Sequence, residues 1–320
     1  MTESGGQVRK WDGNWKLEHE ERKQYRMGSI TQRRKGRLAQ KLQLHNGIWG
    51  NRRKTAAVLG VVCFLVLAAV TLAGWAWREE AAAVDFSRKN LAPCLRYPFG
   101  TDWMGRDMFV RTMTGLSLSI RLGALTAGIS AVIALTLGLA SAALGKWADG
   151  VIGFVIDMVL GIPHILLLVL VSCAAGKGFR GVLLGISLTH WTSLARLLRA
   201  EALQVKESQY VKIARRLGKG PWYVAKEHLA PHLLPQLAVG LVLLFPHAIL
   251  HEASITFLGF GLPPEQPAIG VILSESMKYL AMGRWWLALF PGLLLVLIVL
   301  LFYAAGNGLS SLVDPGQAHE

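Results

Sequence analysis

Long stretches without a charged residue constrain this chain more than anything else in it. Thr55–Trp77 runs 23 residues without Asp, Glu, Lys or Arg, Leu122–Gly145 runs 24, Met158–Gly176 runs 19, Leu229–His251 runs 23 and Trp285–Val313 runs 29. Gly181–Ala195 is a weaker run of 15, ended by Arg196. About 20 apolar residues cross a bilayer as a helix, and inside hydrocarbon each backbone N–H and C=O must be bonded within its own segment. A buried helix of a soluble protein seldom stays uncharged for so long. The chain therefore reads as an all-α integral membrane protein with six transmembrane helices. The first run is too long for the core of a signal peptide and follows a polar segment of 54 residues, so it reads as a retained anchor.

Charge then orients these helices. Hydrophobic residues are 52% and charged residues 17%, which excludes a disordered chain and lies below the roughly 25% charge of ordinary soluble domains. The formal net charge of +14 suggests a nucleic-acid binder until the charges are located. Residues 1–54 hold 14 Lys and Arg. With six spans, 23 fall on the side of the N-terminus (1–54, 146–149, 196–232 and the tail) and 10 on the other side (78–112, 177–180 and 252–284). Positive charge is retained in the cytoplasm, so both termini are expected there, in a multi-pass protein of the inner (plasma) membrane. The basic residues are not collected on one folded domain, so no nucleic acid is expected as a partner; the lipid bilayer is. Cys63, Cys94 and Cys173 are an odd count with no CxxC, which indicates neither a disulfide framework nor a structural zinc site.

The expected organisation is a basic arm over 1–54, a first membrane helix over 55–77, an external segment over 78–115, a five-helix core over 116–312 and a tail over 313–320. The arm, with Trp11, Trp15 and Tyr25 interspersed, reads either as disordered or as a short helix at the lipid headgroups.

The connection over 200–232 is the most informative stretch. Leu203, Tyr210, Val211, Ala214 and Leu217 recur at helical spacing, opposite Lys206, Glu207, Lys212, Arg215 and Arg216. Gly218 stands where a helix end wants a residue able to take positive φ, and Pro221 where a new helix begins. Pro231 and Pro235 are expected to interrupt that helix before the fifth span. The plain alternative is a solvated loop with a charged face.

These residues resemble the coupling loop of ABC-importer permeases. Ala214, Gly218, Leu229 and Pro231 match its spaced alanine, glycine, hydrophobic residue and proline, while the family's Glu-Ala-Ala is here Lys212-Ile213-Ala214. Pro98-Phe99-Gly100-Thr101-Asp102 followed by Gly105-Arg106-Asp107 resembles the FGTDxxGRD entry of the C-type permeases for dipeptides, oligopeptides and nickel. Asp157 to Pro163, Phe257-Leu258-Gly259-Phe260-Gly261, Trp286 to Gly292 and Asp314-Pro315 are similar to further motifs of that family, in order, from about residue 50 to 316.

The resemblance implies a type I ABC-importer permease architecture. It implies one half of a pore, with a second permease subunit as the other half, two ATP-binding subunits beneath and an extracytoplasmic solute-binding protein above. The loop around Gly218 would enter an ATPase groove. ATP-Mg would belong to those partners, because this chain has no GxxxxGK[ST] run; no cofactor and no enzymatic activity are expected of the chain itself. The external motif (Gly100, Asp102, Gly105, Arg106, Asp107) reads either as a docking turn or as a salt-bridged turn that orients the chain.

Histidines in the spans raise a second question, because ionisable groups there face protein or a watery path. His190, His247 and His251 are candidate path-lining residues. His247 and His251 are four apart on one helical face, the spacing of a transition-metal pair, and interhelical hydrogen bonding is the plainer reading. His164 is assigned to packing or to the path. The substrate thus stays open between peptides and nickel or a metal chelate. A proton-coupled carrier would predict inverted repeats, and none is visible. A membrane metalloenzyme built on His247, His251 and Glu252 lacks the Glu between histidines of HExxH.

Overall fold

The computed structural model describes residues 52–313. The expected arm over 1–54 and the tail lie almost wholly outside the described residues. Within them the fold is helical, with one isolated bridge, Thr101 to Asp107.

Helix α1 is Arg52–Ala76 and the short α2 is Arg78–Ala82. After a 3-10 turn at Phe86–Arg88 comes α3, Met108–Ala143, 36 residues and therefore about 54 Å long. Helices α4 (Lys146–Leu160), α5 (His164–Ala174), α6 (Gly178–Lys206) and α7 (Gln209–Arg216) follow. Helix α8 is Pro221–Phe257, α9 is Ile269–Leu280 and α10 is Trp286–Val313.

Four of these are long and apolar enough to cross a membrane: Ala57–Ala76, Met108–Ala143, Pro221–Phe257 and Trp286–Ser310. The expected third span, Met158–Gly176, is not one straight helix. The chain turns by 95° between α4 and α5, and the pair counts as a fifth span only when taken together. Pro163 explains the turn: it lacks an N–H for the ladder and pushes the preceding residue away from helical dihedrals. The weak run Gly181–Ala195 is the middle of α6, a helix of 29 residues that also carries Arg180, Arg196 and Arg199. Composition alone does not qualify it.

A second expectation is corrected at α8. Pro231 and Pro235 do not interrupt the helix. The backbone widens into a π turn at Ala225–Leu229 and then continues as Ala230–Phe257. The carbonyl four residues before Pro231 belongs to Glu227, inside that wide turn, where the ring clash and missing donor of a proline are absorbed.

Small residues set the spacing between helices. A Cβ on Gly74 would stand 2.5 Å from the Met113 carbonyl, and one on Gly181 2.6 Å from that of Ser172. In hydrocarbon, close backbone approach replaces the hydrophobic drive that packs helices in water. Hydroxyls complete the contacts: Ser117 donates to the Thr71 carbonyl at 3.0 Å and Ser130 to that of Ser187 at 3.2 Å. One core cluster gathers Ala142, Leu198, Val211, Val224 and Leu229 near the C-terminal end of α3. Another gathers Met108, Ile272 and Leu287 with Phe99 at its N-terminal end. The two sequence motifs thus occupy opposite ends of one long helix.

Candidate functional site

Helix α7, its turn and the start of α8 form a hairpin. Gly218 takes φ +80°, its N–H bonds the Arg215 carbonyl at 3.0 Å, and the N–H of Lys219 bonds that of Ala214 at 3.1 Å. That pair of bonds is a Schellman motif, which satisfies carbonyls a helix end leaves open and requires positive φ at the glycine. Gly220 then leads into Pro221 in the first turn of α8. The apolar stripe of α7 divides. Val211 and Ala214 are buried together with Val224 and Leu229, whereas Leu217 and Trp222 are 74% and 79% exposed, with Ile213 exposed beside them. Lys219 covers the Tyr223 ring at 4.6 Å, and Lys212 pairs with Glu207 at 3.0 Å. The Lys212 hydrogen bond holds the Glu207 carboxyl below its ordinary range. The hairpin presents apolar knobs in a basic surround, on a base fixed into the core.

At the other end of α3, the external motif closes on itself. Gly100 and Gly105 take φ +71° and +76°, and a Cβ on Gly105 would stand 1.8 Å from the Asp85 carbonyl. Asp107 caps α3 by accepting from the N–H of Phe109 at 2.8 Å. Asp102 is buried and accepts from the N–H groups of Met104 and Arg106 at 2.8 and 3.0 Å. Its other oxygen lies 2.7 Å from Arg106 Nε and 3.1 Å from Arg111 Nη1. Arg111, which no sequence motif singles out, is 2% exposed and pairs also with Glu275 of α9 at 2.8 Å. The motif is held as a salt-bridged turn and tied to α9 by these pairs.

The histidines are arranged differently from the i, i+4 expectation. His251 of α8 meets His190 of α6 and His164 of α5, with ring centroids 4.9 and 4.6 Å away, and His164 and His190 are 4.7 Å apart. The potential ligand atoms of the three lie within 4.8 Å of one another. His247 is outside this group; its ring is exposed and faces Tyr303 of α10 at 6.5 Å. His164, assigned to packing or the path on sequence, is a full member, placed there because the bend at Pro163 starts α5 beside α6 and α8. Glu252 turns away and is buried, accepting from Ser119 at 2.6 Å and Thr256 at 3.0 Å.

Residues 134–319 match the family model described as the binding-protein-dependent transport system inner membrane component. Over 264 residues the chain is 32% identical to a putative peptide transport system permease protein of Brucella suis, covering 82% of this chain and 88% of that one. It is 27% identical over 265 residues to the dipeptide transport system permease protein of Bacillus subtilis, covering 82% and 83% respectively. Among solved structures, the inward-facing MetNI methionine ABC transporter shares the fold, with a TM-score of 0.54 and 18% identity over 65% of this chain and 98% of that chain.

Proposed function

Because the chain belongs to the binding-protein-dependent transport system inner membrane component family, we propose that it is a permease subunit of an ATP-driven peptide importer, coupled to a partner ATPase through the Gly218 hairpin. The observation that carries this reading is the placement of the two motifs at opposite ends of α3, a helix about 54 Å long. A permease of this kind must be gripped by a motor on one face and receive cargo on the other. The hairpin meets the mechanical need of the first face. It is short, closed by a Schellman motif, seated on the core through Val211, Val224 and Leu229, and tipped with Leu217 and Trp222 for a partner groove. A stiff element of that sort transmits rigid-body motion to the spans on either side, α6 and α8.

The remaining parts follow from this assignment. ATP-Mg is bound and hydrolysed by two partner subunits, a second permease subunit completes the pore, and a solute-binding protein delivers peptide at the face of Gly100 to Asp107. The excess of Lys and Arg beside the hairpin supports a cytoplasmic position for it and for both termini, in an inner-membrane protein. Relatives named for peptides and dipeptides support the cargo class.

Gly218→Pro tests the coupling. Proline fixes φ near −65° and removes the N–H that bonds Arg215. The variant is expected to insert and assemble but to lose both peptide uptake and the stimulation of ATP hydrolysis by loaded binding protein. Wild-type uptake and stimulation in that variant would refute the assignment of the hairpin.

A further inference from the structure

We propose that His164, His190 and His251 form a binding site for a divalent late transition metal ion of the zinc, nickel and copper class, with three imidazole ligands and one open position. The three come from α5, α6 and α8, so nothing local in the sequence brings them together; the fold does. Their potential ligand atoms all lie within 4.8 Å of one another. A tetrahedral ion with metal–nitrogen bonds of about 2.0–2.1 Å wants nitrogens about 3.4 Å apart, which small side-chain rotations reach from that spacing. Neutral imidazoles suit this class of ion, whereas hard cations such as Mg²⁺ and Ca²⁺ select oxygen ligands, and the group includes no carboxylate.

The surroundings of His190 suit the tautomer such a site needs. Thr189 Oγ1 lies 2.9 Å from the Gly185 carbonyl, 3.2 Å from that of Ile186 and 3.3 Å from His190 Nδ1. When that hydroxyl gives its proton to a carbonyl it accepts from Nδ1–H, which leaves Nε2 with the lone pair a metal requires. A ligand histidine oriented through its second nitrogen is the usual outer arrangement of a metal site. His190 is 8% exposed, while His164 and His251 are half-buried, so the trio opens on their side, where a further ligand completes the coordination. Polar groups at membrane depth are costly and are retained facing one another or a path, and three imidazoles meeting edge to face at the bend of a broken helix fit that rule.

The test uses the untagged full chain in detergent, stripped with EDTA and titrated with Zn²⁺ by calorimetry. Cobalt(II) absorption serves as a second readout of coordination. One site is expected, with intense low-coordinate cobalt bands. His164→Gln, His190→Gln and His251→Gln should each weaken it at least ten-fold and remove the bands. Thr189→Val should weaken it by about ten-fold through the lost orientation of His190. His247→Gln should leave it unchanged, as should His232→Gln, which replaces an exposed histidine of α8 beside Glu201. If His190→Gln fails to run as a monodisperse species, the half-buried His164→Gln decides. Wild-type affinity in the ligand variants, an equal loss in His247→Gln, or no site in the wild type would each overturn the proposal. None of these readouts involves ATP or peptide, so a failure here leaves the coupling hairpin untouched, and the reverse holds.

Discussion

Arg111 is the residue on which the external motif turns. A guanidinium with 2% exposure is tolerable only with full compensation, and Asp102 and Glu275 supply it at 3.1 and 2.8 Å. Breaking a buried ion network by deleting one partner costs about 3–5 kcal/mol, because the charges left behind stay buried without their counterion. Arg111→Ala should therefore lower the midpoint of thermal unfolding in detergent markedly, while Arg88→Ala, whose pair with Asp85 is about half exposed, should shift it little. A similar midpoint for the two variants would mean that Arg111 is solvated. This network was only partly legible in the sequence. Asp102 and Arg106 stand in a recognisable motif, but Arg111 looks like an ordinary flank of a membrane helix, and Glu275 lies 164 residues beyond it, in a stretch that reads as an external segment. The histidines repeat the lesson. Spacing of four reports neighbours on one helix, and so it singled out His247 with His251, whereas the observed partners of His251 lie on two other helices.

At the scale of elements, the apolar runs translated well into helices, because a long uncharged segment has few other ways to bond its backbone in hydrocarbon. The misses have a common cause. Met158–Gly176 is uniformly apolar, so composition concealed the turn at Pro163. The continuity of α8 past Pro231 depends on one widened turn, which no residue type announces. Helix α9 is amphipathic and short, and its buried side, Ile269 to Ile272 with Ser276, is defined only by the partners it packs on. The Gly218 hairpin was legible because its geometry is local. That locality makes a graded prediction possible. A Cβ at Gly218 meets nothing within 4 Å, so Gly218→Ala suffers only the cost of positive φ, about 1–2 kcal/mol. It should keep partial uptake with a lowered ratio of peptide transported per ATP, between wild type and Gly218→Pro. Equal defects in the alanine and proline variants would place the importance of Gly218 in a close approach to the ATPase rather than in its dihedral angle.

The whole molecule adds a constraint that neither residue nor element supplies: the hairpin and the external motif must face different compartments. Native Cys94 provides an internal reporter, since it lies exposed in the 78–107 connection at the α3 N-terminal end, whereas Cys63 is buried in α1 and the exposed Cys173 can be replaced. In right-side-out spheroplasts carrying Cys173→Ala, a membrane-impermeant maleimide should label Cys94, and the signal should be lost when Cys94→Ala is added. A cysteine introduced at Lys219, in a background lacking Cys94 and Cys173, should be labelled only after the membrane is opened. Because α3 joins the two faces, one lies outside when the other lies inside, however the spans tilt. Labelling of both positions in intact spheroplasts would exclude an ATPase at the hairpin. Protection of Lys219→Cys in opened membranes only when the partner ATPase is co-expressed would tie the exposed Leu217 and Trp222 to the surface that the motor covers.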